Sequence, residues 1–105
     1  MTCYNYNGRL VFNIDDNSDN FESFSIAVEF LKRNENINII KYYAGGWDVS
    51  CLNFIIDGIE LELLFRDFGG TELSVNENTS ESDLSKVRQW AEEIYKEVHN
   101  RQSPI

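Results

Sequence analysis

Apolar and polar residues alternate through the stretch from Ile37 to Val75, which has the sequence INIIKYYAGGWDVSCLNFIIDGIELELLFRDFGGTELSV. This period of two is typical of strands with one face on a core, and glycine-containing breaks divide the stretch into four short strands. The strongest break is Asp57-Gly58, because both central residues of a type I′ hairpin turn need positive φ, which Asp and Gly tolerate. The pattern predicts an antiparallel meander.

The turns of this meander predict which residues face each other. A two-residue turn at Asp57-Gly58 pairs Ile56 with Ile59, Phe54 with Leu61, Leu52 with Leu63 and Ser50 with Phe65. A three-residue turn at Phe68-Gly69-Gly70 pairs Phe65 with Leu73 and Leu63 with Val75, and a two-residue turn at Gly45-Gly46 places Ile37 and Ile39 beside Phe54 and Leu52. All three turns give the same apolar face, which we predict to be the core.

The opposite face of the meander is predicted to mix apolar and charged side chains. Its expected members are Ile40, Tyr42, Trp47, Val49, Cys51, Ile55 and Leu64, interleaved with Asn53, Glu60, Glu62, Arg66, Glu72 and Ser74. Mixed faces of this kind often contact partner proteins.

Helical periodicity appears on both sides of the meander. Residues 21–33 repeat apolar side chains at helical spacing, and a second helix to about Asn100 is predicted from a regular stripe, with Ser80 and Asp83 as a capping box. The stripe consists of Leu84, Val87, Ala91, Ile94 and Val98. Residues 9–14 alternate as a strand, and Asn7-Gly8 joins them to an edge strand at residues 2–7.

These elements predict an α+β fold in the order β-α-β-β-β-β-α. We expect a two-layer sandwich in which both helices pack on the Phe54, Leu61 and Leu63 side of a mostly antiparallel meander. The 105 residues form a single domain over the whole chain, 1–105, because this length buries one core. No run approaches the roughly 20 apolar residues of a membrane span, and no export signal is apparent, so we expect a soluble, cytoplasmic protein with Cys3 and Cys51 reduced.

Charge is concentrated in one part of the chain. Residues 44–83 contain nine carboxylates and a single base, Arg66, so that this range holds −8 of the net charge of −9. A local negative field repels nucleic acid and anionic membranes and attracts basic proteins. The charge therefore favours a basic protein partner and argues against nucleic-acid or membrane binding.

Catalytic and metal-binding signatures are weak. Asp15, Asn17 and Asp19 match the first ligands of a calcium loop, but Asn20 stands where the loop needs glycine and Ile26 where it needs glutamate. We therefore interpret residues 15–20 as a polar turn, with Asp19 or Asn20 capping the next helix. The only histidine, His99, lies near the basic end of the last helix without a nucleophile motif, and we assign it no role. We predict no metal, no cofactor and no enzymatic activity.

The GGWDV, DGIELELLF and GGTELSV segments of a small, acidic chain resemble the immunity proteins of bacterial toxin systems, including contact-dependent inhibition and other polymorphic toxins. The resemblance spans the chain and implies binding and blocking of a cognate toxin, often a basic nuclease, inside the producing cell. It carries over no motif residue, so the candidate site is chosen by charge and sheet face.

Two functions follow as hypotheses. The first is an immunity protein that neutralises a basic toxin, and we expect it to be a monomer in the complex rather than an obligate oligomer. Its predicted partner-binding residues are Tyr42, Trp47, Asp48, Glu60, Glu62, Asp67 and Glu72. Aromatic side chains would supply contact area, and carboxylates would steer association. The alternative is a general protein-binding module or a homo-oligomeric structural domain without catalysis.

Overall fold

The computed structural model describes residues 1–17, 20–45, 49–66 and 69–101. The strands are β1 (Cys3–Tyr6), β2 (Arg9–Asp15), β3 (Asn38–Ala44), β4 (Val49–Ile56), β5 (Ile59–Arg66) and β6 (Gly70–Asn76), and the helices are α1 (Phe21–Lys32) and α2 (Glu81–Arg101). The predicted α+β sandwich is confirmed, and β1, predicted as an edge strand, adds one strand in front of the order given above.

The described strands form one antiparallel sheet in the order β1-β2-β6-β5-β4-β3. Helix α1 packs on α2, β5 and β6, while α2 packs on β2. The two helices therefore cover the middle of one face, which we call the helix face. The other face, here called the outer face, carries no described helix.

The register at the Asp57-Gly58 turn agrees with the prediction. Asp57 has φ 53° and Gly58 has φ 77°, as a type I′ turn requires. All four predicted pairs, from Ile56 with Ile59 to Ser50 with Phe65, face each other across β4 and β5. Leu52, Phe54, Leu61 and Leu63 are buried under the helices, so this part of the core is confirmed.

The register between β5 and β6 differs from the prediction by two residues. Leu63 faces Leu73 and Leu61 faces Val75, whereas the sequence predicted Phe65 with Leu73 and Leu63 with Val75. Strand β6 already begins at Gly70, whose φ of 71° and close approach to Asp15 exclude a side chain. A shift by two residues keeps the same side chains inside, so the predicted core face is correct although the predicted register is wrong.

The register between β3 and β4 was also predicted wrongly. Ile39 faces Phe54 and Tyr42 faces Leu52, and a bulge interrupts the ladder between Ile39 and Lys41. A bulge adds one residue to the strand, so each side chain after it lies on the opposite face from the one it would occupy in an unbroken strand. Tyr42 therefore lies on the helix face, although the sequence predicted it on the outer face.

The N-terminal hairpin extends the sheet from the other side. Asn7 and Gly8 both have positive φ, at 50° and 79°, so the predicted Asn-Gly turn is confirmed. Strand β2 pairs with β6, with Phe12 opposite Leu73 and Val11 opposite Ser74. This pairing places β6 at the centre of the sheet.

The helices close the core as their periodicity predicted. All five residues of the predicted α2 stripe are buried, and the Asp83 amide donates to Ser80 Oγ at 3.3 Å at the start of the helix. At the start of α1, Asn20 makes no capping bond with its side chain and instead donates to Asp15 Oδ2 at 3.0 Å. Asp15 also accepts bonds from the Asn17 amide and the Ser23 hydroxyl. Asn20 therefore occupies the predicted N-cap position, but its side chain bonds to Asp15 rather than to a helix amide, and Asp19 lies outside the described residues.

Candidate functional site

The outer face contains a cleft of about 370 Å³. Its apolar lining comes from Val11, Val49 and Leu64, on β2, β4 and β5. Its polar lining consists of Tyr6, Asn7, Arg9, Glu62, Arg66, Glu72 and Ser74. Side chains from both ends of the sequence therefore meet on this face, because β2 pairs with β6. The volume lies at the small end of the range for ligand or side-chain pockets.

Glu72 is buried in the middle of the outer face, at 3% exposure. Its Oε1 atom lies 3.2 Å from an Arg66 amino nitrogen, and its Oε2 atom accepts a hydrogen bond from the Tyr4 hydroxyl. A buried carboxylate needs such partners, since an unpaired charge away from water is costly. Glu72 was predicted to contact a partner protein, but its carboxylate is engaged with Arg66 and Tyr4 instead.

Tyr4 is held in its neutral form by this arrangement. Burial of the hydroxyl, its hydrogen bond to Glu72 and the negative charge of Glu72 raise the pKa of Tyr4 to about 12. Tyr4 as a whole is 42% exposed, so desolvation acts on the hydroxyl end beside Glu72 rather than on the whole residue. Tyr4 is therefore a hydrogen-bond donor throughout the physiological pH range.

A second tyrosine of β1 stands at the rim of the cleft. The Arg66 guanidinium lies 5.7 Å from the centre of the Tyr6 ring, within cation–π range. Tyr6 and Arg66 belong to β1 and β5, and β2 and β6 lie between them in the sheet. This contact spans the outer face and encloses one side of the cleft.

Arg9 adds a positive charge that the sequence analysis did not place here. Its Nε donates to Ser74 Oγ at 2.9 Å, and an amino group donates to the Ser74 carbonyl at 3.1 Å. Only Arg66 was expected among the bases of this face. Two arginines therefore offset two of the outer-face carboxylates, and the face is less acidic than the local sequence charge suggested.

The remaining carboxylates of the outer face are Glu60 and Glu62, both on β5. Glu60 is exposed beside the hairpin turn and faces Ile55. Glu62 is half-buried, lines the cleft and accepts a hydrogen bond from Asn53 at 3.1 Å. These two residues lie where the sequence predicted them, on one strand and one face.

Of the other predicted site residues, the structure describes only Tyr42, which does not line this cleft. Tyr42 is 47% exposed on the helix face, where the Lys32 ammonium lies 4.4 Å from its ring centre. Trp47, Asp48 and Asp67 lie outside the described residues. Sequence analysis missed Tyr4, Tyr6, Arg9 and Val11, although Arg9 and Val11 alternate with the core residues of β2. The missing information was that β2 pairs with β6.

The other side chains that could act in catalysis or metal binding are His99 and the two cysteines. His99 Nε2 lies 2.9 Å from the Ile14 carbonyl oxygen, and its ring contacts Tyr95. Cys3 and Cys51 are both free thiols, as expected. Within the described parts of the chain, no group of three or more His, Cys, Asp or Glu residues could hold a metal ion.

No protein-family model, curated protein or solved structure matches this chain. Among the residues that the structure describes, no helix is both long and apolar enough to cross a membrane. The candidate site is therefore defined by geometry and charge alone. It is the cleft on the outer face, lined by Glu62 and Tyr6, together with Glu60 and Tyr4 on the same face of the sheet.

Proposed function

We propose that this protein is an immunity protein that binds a cognate basic toxin, most simply a nuclease, and neutralises it inside the producing cell. The observation that carries this proposal is the outer face, a sheet surface that no described helix covers and that combines carboxylates, exposed aromatic rings and a cleft. Such a surface is suited to a protein partner, because aromatic contacts supply affinity and carboxylates supply steering. The net charge of −9 favours a basic partner.

Different residues of the outer face would have different roles in binding the toxin. Glu60 and Glu62 would attract basic side chains of the toxin, and Tyr6 would contribute contact area at the rim of the cleft. Glu72 would act indirectly, since it holds Arg66 and Tyr4 in place. Trp47, Asp48 and Asp67 remain predicted contacts from the sequence. No catalytic step is needed, because a bound protein blocks a toxin by covering its substrate site.

Binding kinetics against the product of the adjacent gene would test the proposal. Reversing Glu60 and Glu62 to lysine should slow association and flatten its dependence on salt, because steering charges act on the association rate. The matched control reverses Glu92 and Glu93, two exposed carboxylates of α2. Tyr6→Ala should speed dissociation and weaken binding by about 1–2 kcal/mol, as expected for an aromatic contact near the centre of an interface.

The results separate the proposal from its alternatives. An unchanged association rate and salt dependence in the β5 double variant would exclude the outer face as the binding surface. Loss of binding in the α2 control would instead place the partner on that helix. Tight binding to a partner without basic character would favour a general protein-binding module.

A further inference from the structure

Strand β3 forms one edge of the described sheet and is the longer of its two edge strands, both of which are exposed along their whole length. All seven residues of Asn38–Ala44 are exposed, and β3 pairs only with β4. Ile40, Tyr42 and Tyr43 are between 47% and 55% exposed. An exposed apolar edge strand offers unpaired backbone groups to another strand. This edge therefore either pairs with a strand of another chain or needs a feature that prevents such pairing.

The charge on this edge differs from the rest of the molecule. Neither β3 nor β4 contains an aspartate or a glutamate, although the chain carries a net charge of −9. Lys41 lies on β3, and the Lys32 ammonium of α1 lies over Tyr42. A basic toxin would be repelled here, whereas a second copy of this acidic chain meets its lowest electrostatic barrier at this edge.

We propose that β3 pairs antiparallel with β3 of a second copy around a twofold axis at Tyr42. In this register Tyr42 faces its own equivalent on the helix face, and Lys41 faces Tyr43 of the second copy on the outer face. The symmetry produces the lysine–tyrosine contact twice. A lysine ammonium beside an aromatic ring is favourable, so the edge is complementary to itself.

The same lysine excludes neighbouring registers. A twofold axis at Lys41 would place two lysines opposite each other, which is unfavourable for directly facing strand residues. An axis at Tyr43 would place Lys41 beyond the end of the other strand and leave fewer paired positions. Lys41, which as an isolated charge would discourage edge pairing, thus selects one register.

This dimer goes beyond the proposed function and does not depend on it. A twofold axis perpendicular to the sheet joins the two sheets edge to edge and keeps both helix layers on one side. The cleft and Glu60 and Glu62 then remain accessible in each copy, because neither glutamate and none of the residues that line the cleft lies on β3. Each chain could still bind one toxin.

Sedimentation of the purified protein alone, over a concentration series, tests the proposal. The wild type should shift from the mass of one chain toward the mass of two. Tyr43→Lys should weaken the dimer by at least about tenfold, since two symmetric contacts become lysine pairs. Tyr43→Phe should preserve it, because phenylalanine keeps the aromatic face.

A charge-exchange variant shows whether Tyr43→Lys weakens the dimer through the proposed strand register or because the chain no longer folds. In the double variant Lys41→Glu, Tyr43→Lys, each new glutamate faces a new lysine of the other copy, and dimerisation should return. Asn38→Lys is the control, because Asn38 lies on the same strand but outside the paired positions. Melting temperatures identify any variant that fails to fold.

Two results would overturn the proposal. One is a wild-type mass that stays at the mass of one chain up to about 1 mM, a dissociation constant that corresponds to only about −4 kcal/mol of binding free energy. The other is a dimer that persists in Tyr43→Lys, or that the charge exchange does not restore although the variant is folded.

Discussion

At the scale of single residues, Glu72 is a buried carboxylate that contacts Arg66 and Tyr4. We predict that Glu72→Ala lowers the free energy of unfolding by about 1–3 kcal/mol, because Arg66 loses its counterion; the partial exposure of Arg66 reduces the penalty from that of a fully buried pair. Denaturant unfolding would measure it. Glu60→Ala is the matched control and should change stability by less than about 0.5 kcal/mol. Equal effects of the two variants would contradict the buried network.

The raised pKa of Tyr4 predicts a loss of stability at high pH. The folded-state pKa of about 12 lies above the value of about 10 for an unfolded tyrosine, so the folded state holds this proton more tightly. The stabilisation is fully present below about pH 10 and disappears as the pH rises through about 12. Tyr4→Phe should therefore be less stable than the wild type at pH 8, and the difference should shrink at alkaline pH. Thermal unfolding between pH 8 and pH 12 tests this, and a constant difference would contradict it.

At the scale of secondary structure elements, the Asp57-Gly58 turn controls the best-predicted part of the fold. Asp57→Pro should break the β4–β5 hairpin, because proline holds φ near −65° and the turn needs the observed 53°. Asp57→Asn keeps a residue that tolerates positive φ and should leave the melting temperature within a few degrees of the wild type. Since Trp90 donates a hydrogen bond to Asp57 at 3.2 Å, asparagine also retains an acceptor there. Equal melting temperatures for the two variants would refute the turn's role.

The elements differ in how well the sequence predicts them, for a geometric reason. A two-residue turn determines the pairing of β4 and β5 completely. The apolar period of two cannot detect a shift by two residues, so the β5–β6 register was wrong while its core face was right. A bulge near Ile40 leaves no mark in that period, and it moved Tyr42 to the other face. Local rules therefore predicted elements and core but not the position of every surface side chain.

At the scale of the whole molecule, the candidate site depended on a contact that no local pattern contains. The pairing of β2 with β6 joins residues more than fifty positions apart and brings Arg9 beside Ser74. Tyr4 reaches Glu72 through the same pairing, because β1 is attached to β2. Counting charge along residues 44–83 overestimated the acidity of the outer face for this reason. What remains acidic there is the exposed part of β5, around Glu60.

An acidic surface kept for binding should reduce the stability of the free protein. At low salt, carboxylates in a chain of charge −9 repel one another, and Glu60 forms no ion pair with any described residue. Glu60→Lys should therefore raise the melting temperature at low ionic strength by about 2–4 °C, corresponding to roughly 0.5 kcal/mol, and the gain should shrink when salt screens the charges.

Glu92→Lys on α2 is the matched control for this effect. Glu92 lies four residues from both Arg88 and Lys96, a spacing at which opposite charges on a helix attract, so its reversal should lower or preserve the melting temperature. Scanning calorimetry of both variants at two ionic strengths would compare them. If Glu60→Lys stabilises the protein and also slows toxin association, the negative charge at β5 is retained for binding at the expense of stability. If both reversals stabilise equally, the effect belongs to the net charge and the β5 surface has no special role.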